Sequence, residues 1–203
     1  MTIAVEAIVL KRLGRVEYLP TLEAMRRFTA ERTEETHDEL WLLEHPPVYT
    51  LGQGASHDPV ANGIPLVKAD RGGDITYHGP GQVVLYTLVD VARRGIKVKQ
   101  FVSLLEQAVI DLLGGRGERK AGAPGVYVDG AKIAALGIRV RQGRAYHGLS
   151  LNVDMDLTPF SAIDPCGYPG LAVTQLRDLG FSDSIETAGE RLARNLVKRI
   201  ENA

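Results

Sequence analysis

Apolar positions change their spacing several times along the chain, and each spacing predicts an element. From Ile3 to Leu10 they alternate, the period of a half-buried strand. Leu22, Met25 and Phe28 then recur at helical spacing behind Thr21, a residue type that caps helix N-termini. Glu34-Glu35 and Asp38-Glu39 read as the solvated end of that helix. Leu40 to Leu43 forms a short buried strand ended by His45-Pro46-Pro47, and Val48 to Leu51 another before Gly52-Gln53-Gly54. Val83 to Val89 is apolar and rich in β-branched residues, so it is expected inside the core.

Phe101, Leu104, Leu105, Ala108, Val109 and Leu112 mark one face of a second helix, which Gly114-Gly115 stops. Two hairpins follow. Asp129-Gly130 separates Val126-Tyr127-Val128 from Lys132–Val140, and Gln142-Gly143 separates that strand from Tyr146–Val153. Ile185, Ala188, Leu192, Leu196 and Ile200 predict a closing helix. Hairpin-joined strands make a mixed, largely antiparallel sheet flanked by helices: an α+β fold rather than a doubly wound parallel one. No repeat or linker interrupts the pattern, and 203 residues suit one domain spanning 1–203.

Composition narrows the class only a little. The chain is 44% hydrophobic and 24% charged with a formal net charge of −1, so overall charge makes no case for nucleic acid or a membrane surface. No apolar run approaches the ~20 residues that span a bilayer. The start shows no charged leader before an apolar core, and the single cysteine cannot close an internal disulfide. A cytoplasmic protein is expected.

That cysteine, Cys166, sits in Ile163-Asp164-Pro165-Cys166-Gly167-Tyr168-Pro169-Gly170. A cysteine is often a small core residue. Proline and glycine on both sides place this one in an irregular turn, where reactive groups tend to be held. A thiol reacts as thiolate, so it needs a base or cation nearby. Lys132 is the candidate, the one charge at the head of Ala131-Lys132-Ile133-Ala134-Ala135-Leu136-Gly137-Ile138. Either it is desolvated there, able to accept a thiol proton and then stabilise the anion, or it snorkels into solvent beside Asp129-Gly130.

The loop Arg71-Gly72-Gly73-Asp74-Ile75-Thr76-Tyr77-His78-Gly79-Pro80-Gly81 offers backbone N–H groups to a ligand oxygen, without dinucleotide or Walker spacing. The alternative is a structural Ω-like loop with Arg71 and Asp74 paired locally. His78 suits a hydrogen-bond donor or proton shuttle. In Tyr146-His147-Gly148-Leu149-Ser150-Leu151-Asn152-Val153, alternation puts His147 and Asn152 on opposite faces. No His/Cys spacing suits a metal.

In their order these segments resemble the lipoyl(octanoyl) transferase family: Arg71 to Gln82; Gly125-Val126-Tyr127-Val128 followed by Lys132 to Gly137; His147 to Val153; and Pro165-Cys166-Gly167. The resemblance covers about Glu44 to Leu176. One departure is Thr87 after Leu85-Tyr86, where the family pattern leads to proline. The resemblance implies one catalytic acyltransferase domain similar to those of biotin and lipoate protein ligases, akin to class II aminoacyl-tRNA synthetases. It implies an octanoyl group taken from acyl carrier protein and delivered to a lysine of lipoyl domains, in 2-oxoacid dehydrogenase complexes and the glycine cleavage H protein, with neither cofactor nor metal. Cys166 is implied as the acyl-thioester nucleophile and Lys132 as the group that lowers its pKa. Arg71, Gly72, Gly73, Asp74, Ile75, Thr76, Tyr77 and His78, with Ala135, Leu136, Gly137, Gly148, Leu149 and Ser150, are implied as the acyl-substrate site. An acidic carrier also calls for a basic patch, from Arg139, Arg141 and Arg144 or from Arg116, Arg119 and Lys120. The rivals are an ATP-dependent lipoate or biotin ligase, a non-catalytic carrier-binding module, and a cysteine hydrolase using His78 or His147.

Overall fold

The apolar run predicted at 83–89 forms an interior strand of the main sheet. The computed structural model describes residues 7–55, 62–163 and 171–203. Its elements are β1 (Val9–Arg15), α1 (Tyr18–Glu31), β2 (Glu39–Glu44), β3 (Val48–Leu51), β4 (Leu66–Lys68), β5 (Ile75–His78), β6 (Gln82–Asp90), α2 (Val98–Leu112), β7 (Glu118–Lys120), β8 (Ala123–Val128), β9 (Ala131–Arg141), β10 (Arg144–Asn152) and α3 (Ile185–Glu201). Seven strands pair in the order β1-β2-β6-β10-β9-β8-β7, antiparallel except for β1 on β2. A second sheet, β4-β3-β5, holds one parallel and one antiparallel pair. The mixed, mainly antiparallel α+β fold is thus the one observed.

Strand alternation sorts the core into two faces. Val83, Leu85 and Val89 of β6, with Leu149 and Leu151 of β10, pack on Phe101, Leu105 and Val109 of α2 and Leu192 and Leu196 of α3. Val84, Tyr86 and Leu88 point the other way, against Tyr18, Leu22 and Met25 of α1. Leu192 has no exposed surface, so its truncation to alanine should cost roughly 2–5 kcal/mol. The second sheet buries Tyr49, Ile75 and Tyr77 with Met155, Phe160 and Ile163. The space between β5, α1 and the α1-facing side of the main sheet becomes the site.

Both hairpins form as predicted. Their turn residues Asp129 and Gln142 (φ 49° and 50°), followed by Gly130 and Gly143 (φ 83° and 76°), have the left-handed backbone that two-residue turns require. Four readings need correction. The first strand is Val9–Arg15 rather than Ile3–Leu10, and Ile3–Glu6 lie outside the described residues. Its polar half was unmarked because an edge strand leaves most of its residues in solvent. Helix α1 starts at Tyr18, so Thr21 is not its cap; the Thr21 hydroxyl donates back to Glu17 O at 2.7 Å. Ile75–His78, read within a loop, is a strand.

Asp38 is the fourth. It is fully buried, accepting from Arg32 Nη2 and Arg94 Nε, both at 2.5 Å, from Arg93 Nη2 at 3.1 Å and from Asp90 N at 2.8 Å. Burial by itself raises the carboxyl's pKa, but hydrogen bonds from Asp90 N–H, Arg32 and Arg94 outweigh it and hold the group below its ordinary value.

Candidate active site

Three chain segments far apart in sequence line one pocket. Arg71, Gly73, Asp74, Ile75, Thr76 and His78 form one wall. Ala135, Leu136 and Gly137 of β9, with Gly148, Leu149 and Ser150 of β10, form the floor, and Tyr18, Val84, Tyr86 and His147 complete it. The cavity itself is narrow, about 40 Å³, and opens to solvent. Antiparallel register aligns the floor, pairing Ala135 with Ser150, Leu136 with Leu149 and Gly137 with Gly148.

Close backbone approach shapes the wall. Gly72 N donates to Ile138 O at 3.0 Å, and a Cβ on Gly137 would stand 2.9 Å from Gly72 O and 3.0 Å from Arg71 Cδ. Gly52, Gln53 and Gly54 donate their N–H groups to Asp74, Arg71 and Gly73 carbonyls at 3.0–3.2 Å. Arg71 is itself buried, its Nη2 donating to Thr50 O at 2.6 Å and Thr50 Oγ1 at 2.8 Å, so its guanidinium braces the loop on β3. The Gly72 N–H expected to face a ligand oxygen is therefore spent on Ile138.

Two expected residues point elsewhere. Tyr77 turns into the second-sheet core, its ring 5.5 Å from those of Tyr49 and Phe160. Gly72 lines an adjoining groove with Gly73, Asp74, Ala123, Pro124 and Gly137.

Burial first, then the neighbouring His45, lowers the pKa of His78 to about 3, so it is neutral at physiological pH. Its Nδ1 lies 2.7 Å from Gln82 Oε1, while Gln82 Nε2 donates to Tyr77 O and to Asn152 Oδ1. The glutamine oxygen is thus the acceptor, His78 carries its proton on Nδ1, and Nε2 is left as a lone pair. Asn152 passes the chain of bonds to Thr174 O at 3.0 Å. His45, brought to about 4 by burial, lies 2.6 Å by Nδ1 from Val16 O and takes the Tyr86 hydroxyl on Nε2 at 2.7 Å.

His147 breaks the alternation predicted for its strand. Its left-handed backbone (φ 61°) turns the ring to the side of Tyr146, stacked 5.0 Å away. Tyr146 Oη donates to Asp70 Oδ2 at 2.6 Å, and His147 Nε2 meets Asp70 Oδ1 at 2.9 Å. His147 consequently shares the Tyr86 face of the sheet with Asn152 instead of opposing it. Burial raises the Asp70 carboxyl, but hydrogen bonds from His147, Tyr146 and Arg26 hold it well below its usual range. His147 is lowered by burial, with Asp70 pulling the other way. Thr87, the departure from the family pattern, donates its hydroxyl to His147 O at 3.0 Å and pins this turn.

Lys132 is 3% exposed, which excludes the solvent-snorkelling alternative. Its Nζ donates to Pro124 O at 3.3 Å and lies 5.2 Å from the centre of the Tyr127 ring. Gly125 makes room for it, since a Cβ there would stand 3.0 Å from Lys132 Cε and 3.3 Å from Nζ. Lys132 N donates to Ala172 O at 2.8 Å and Thr174 N to Lys132 O at 2.9 Å. Cys166 lies outside the described residues. Tyr18, Val84 and Tyr86 carry no sequence signal of a site, because each reads as ordinary core periodicity. Among the described residues no three of His, Cys, Asp and Glu converge as metal ligands, and no helix is long and apolar enough to cross a membrane.

Comparison with known proteins places this geometry. Residues 17–197 match the family described as "Lipoyl protein ligase A/B catalytic domain". An octanoyltransferase of Aromatoleum aromaticum is 62% identical over 199 residues, covering 96% of this chain and 86% of that protein. One of Dechloromonas aromatica is 58% identical over 198 residues, covering 95% and 97%. Among solved structures, a Thermoplasma acidophilum lipoate protein ligase with bound lipoic acid superposes with a TM-score of 0.74 at 18% identity, covering 95% of this chain and 86% of the other. A biotin protein ligase from Aquifex aeolicus in complex with biotin and ATP gives 0.58 at 10% identity, covering 96% and 71%. The fold is that of the lipoate and biotin ligase catalytic domains, and the chain belongs to the lipoyl protein ligase A/B catalytic-domain family, within it to the octanoyltransferases.

Proposed function

We propose that the chain, as one catalytic unit over residues 1–203, takes an octanoyl group from acyl carrier protein as a thioester on Cys166 and passes it to a lysine of a lipoyl domain. The observation that carries this reading is that the chain downstream of Cys166 returns to Lys132, whose backbone it brackets through Ala172 and Thr174, while the buried Lys132 amino group lies against Gly125, the partner of Ala135 in the pocket floor.

Lys132 takes the thiol proton and the Cys166 sulfur attacks the carrier's thioester carbonyl. A new C–S bond forms, the old one breaks, and the carrier's thiolate leaves with the proton from Lys132. The acceptor lysine, neutral, then attacks the acyl-enzyme. An amide forms, the Cys166 thiolate leaves, and the amine's proton returns through Lys132. Thioester exchange is nearly balanced and amide formation runs downhill, so the sequence uses no ATP. The acceptors are the lipoyl domains of 2-oxoacid dehydrogenase complexes and the glycine cleavage H protein, and the setting is the cytoplasm. Arg71, Gly73, Asp74, Ile75, Thr76 and His78 with the 135–137 and 148–150 floor enclose the acyl chain.

For the carrier, the cluster Arg116, Arg119 and Lys120 is better placed than Arg139, Arg141 and Arg144. Lys120 Nζ lies 4.3 Å from the centre of the Tyr127 ring that Lys132 also faces. Arg144 is drawn to Asp90 at 3.8 Å and Arg139 to Gln53, as Arg119 is to Glu106 at 3.1 Å, so the choice rests on where Lys120 stands.

Intact-mass measurement after mixing with octanoyl-carrier protein without ATP tests the reading. Gain of one octanoyl group, lost in Cys166→Ala and chased onto a lipoyl domain, is the expected result. Transfer that requires ATP and free octanoate, or release of octanoate to water, would overturn it.

A further inference from the structure

One peptide unit stands between the Lys132 amino group and a buried carboxylate. Lys132 Nζ donates to Pro124 O at 3.3 Å, and the N–H of the same peptide, on Gly125, donates to Glu106 Oε1 at 3.1 Å. Glycine leaves that peptide bare. Its φ of 143° is one that side chains rarely adopt, and a Cβ there would stand 3.0 Å from Lys132 Cε and 2.7 Å from Ala134 O. Strand β8 then shifts register against β9 between Val126 and Tyr127, so the unit sits at an irregularity and not in an even ladder.

Glu106 belongs to the buried face of α2, with Phe101, Leu105 and Val109, and is 6% exposed. An apolar residue would complete that face, and a carboxylate is costly to bury unless donors meet it. Its donors are the Gly125 N–H and, on Oε2, the half-exposed Arg119 at 3.1 Å. Arg119 donates as well to Ser103 O and Gln107 Oε1 of the same helix. Also ionisable here are Tyr127, whose hydroxyl donates to Ala123 O at 3.1 Å, and Lys120, whose amino group faces the Tyr127 ring. Neither supplies Lys132 with a negative charge; Glu106 does. A carboxylate at the N–H end of a peptide and an ammonium at its C=O end both lie along the peptide dipole, so each strengthens the other's hydrogen bond.

We propose, resting on the function just given, that Glu106 is a positioning residue: through the Pro124–Gly125 peptide it holds Lys132 as an ammonium where that charge keeps the Cys166 sulfur a thiolate.

The test is alkylation of Cys166 by iodoacetamide across pH, followed by intact mass, in the full chain and in Glu106→Gln. That variant removes the charge and keeps an oxygen for Gly125. The profile should move up by roughly 0.5–1 pH unit. Acting directly on the sulfur, loss of an anion would move it the other way. Octanoyl transfer to a lipoyl domain should fall about 3–10-fold below the midpoint and rejoin the wild type above it. In a Lys132→Met background the same change should give no upward shift, because Glu106 acts only through the lysine. Glu106→Met, which suits the apolar face of α2, supplies the same reading if the glutamine variant does not fold. An unmoved profile, an equal shift without Lys132, or a rate lowered equally at every pH overturns the proposal. A wild type whose Cys166 takes up no octanoyl group would sink the proposed function, and the alkylation profile would still decide the part played by Glu106.

Discussion

Replacing Asp38 with asparagine keeps its shape and removes one buried negative charge. Arg32, whose side chain is 1% exposed, would keep its guanidinium in the interior with no carboxylate opposite. Arg94 is 8% exposed and loses its nearest anion too, while Arg93, 26% exposed, recovers part of its hydration. Breaking a buried pair from one side costs about 3–5 kcal/mol, and the exposed Arg93 adds little. At roughly 2–4 °C per kcal/mol for a chain of this size, about 4 kcal/mol lowers Tm by ~8–16 °C. Because Asp38 has a depressed folded pKa, its contribution is fully present above the unfolded value of about 3.9 and is lost as pH falls through the folded value. The assay is denaturant unfolding of the wild type, Asp38→Asn, Arg32→Met and the double variant. The double variant should be more stable than additivity allows, because it leaves fewer unpaired charges. A loss under about 1 kcal/mol for Asp38→Asn, the value of a surface pair, would refute the reasoning.

Lys132→Met preserves bulk against Tyr127 and Gly125 without a proton acceptor; turnover should fall about 10²–10⁴-fold and Cys166 alkylation should move to higher pH. An unchanged alkylation profile would remove Lys132 from the mechanism. His45 and His78, with folded pKa values of about 4 and about 3, are uncharged when folded and take up protons in the unfolded chain below about 6.5. Their stabilisation is complete above that pH and declines below it, by up to ~1.4 kcal/mol per pH unit for each. A denaturant midpoint that stays flat from pH 6.5 to 4.5 would contradict this. Lys120→Glu should raise KM for octanoyl-carrier protein several-fold at low salt and leave a small octanoyl-pantetheine donor unaffected; equal effects on both donors would exclude a docking role.

What the sequence revealed was local chemistry. Asp129-Gly130 and Gln142-Gly143 encode their turns within two residues, so both hairpins could be read directly. The helical faces of α2 and α3 followed from one period. Asp38 reads as a solvated charge because its partners Arg93 and Arg94 lie more than fifty residues downstream, and nothing in Asp38-Glu39 announces them. His147 was assigned to the wrong face because a single left-handed residue inverts strand alternation, and histidine carries no fixed signal for that conformation. The pocket segments were recognisable as motifs. Tyr18, by contrast, sits one turn before Leu22 on a helix face that any core-packing sequence would share, so only the fold reveals that it lines the site.

The glycine contacts around the pocket bear on how such a site can change over time. Gly137 meets the backbone of Gly72, Gly148 that of Leu85, and Gly52 that of Gly73, main chain against main chain. The height of the slot is therefore written in peptide groups, which substitution does not resize. A lineage exploring new acyl cargo cannot widen the slot one side chain at a time without first disturbing the sheet. It can readily exchange the side chains that line the slot, of which Tyr18 is one. Diversification in such a scaffold should thus appear as altered reach and altered lining chemistry, with girth held constant.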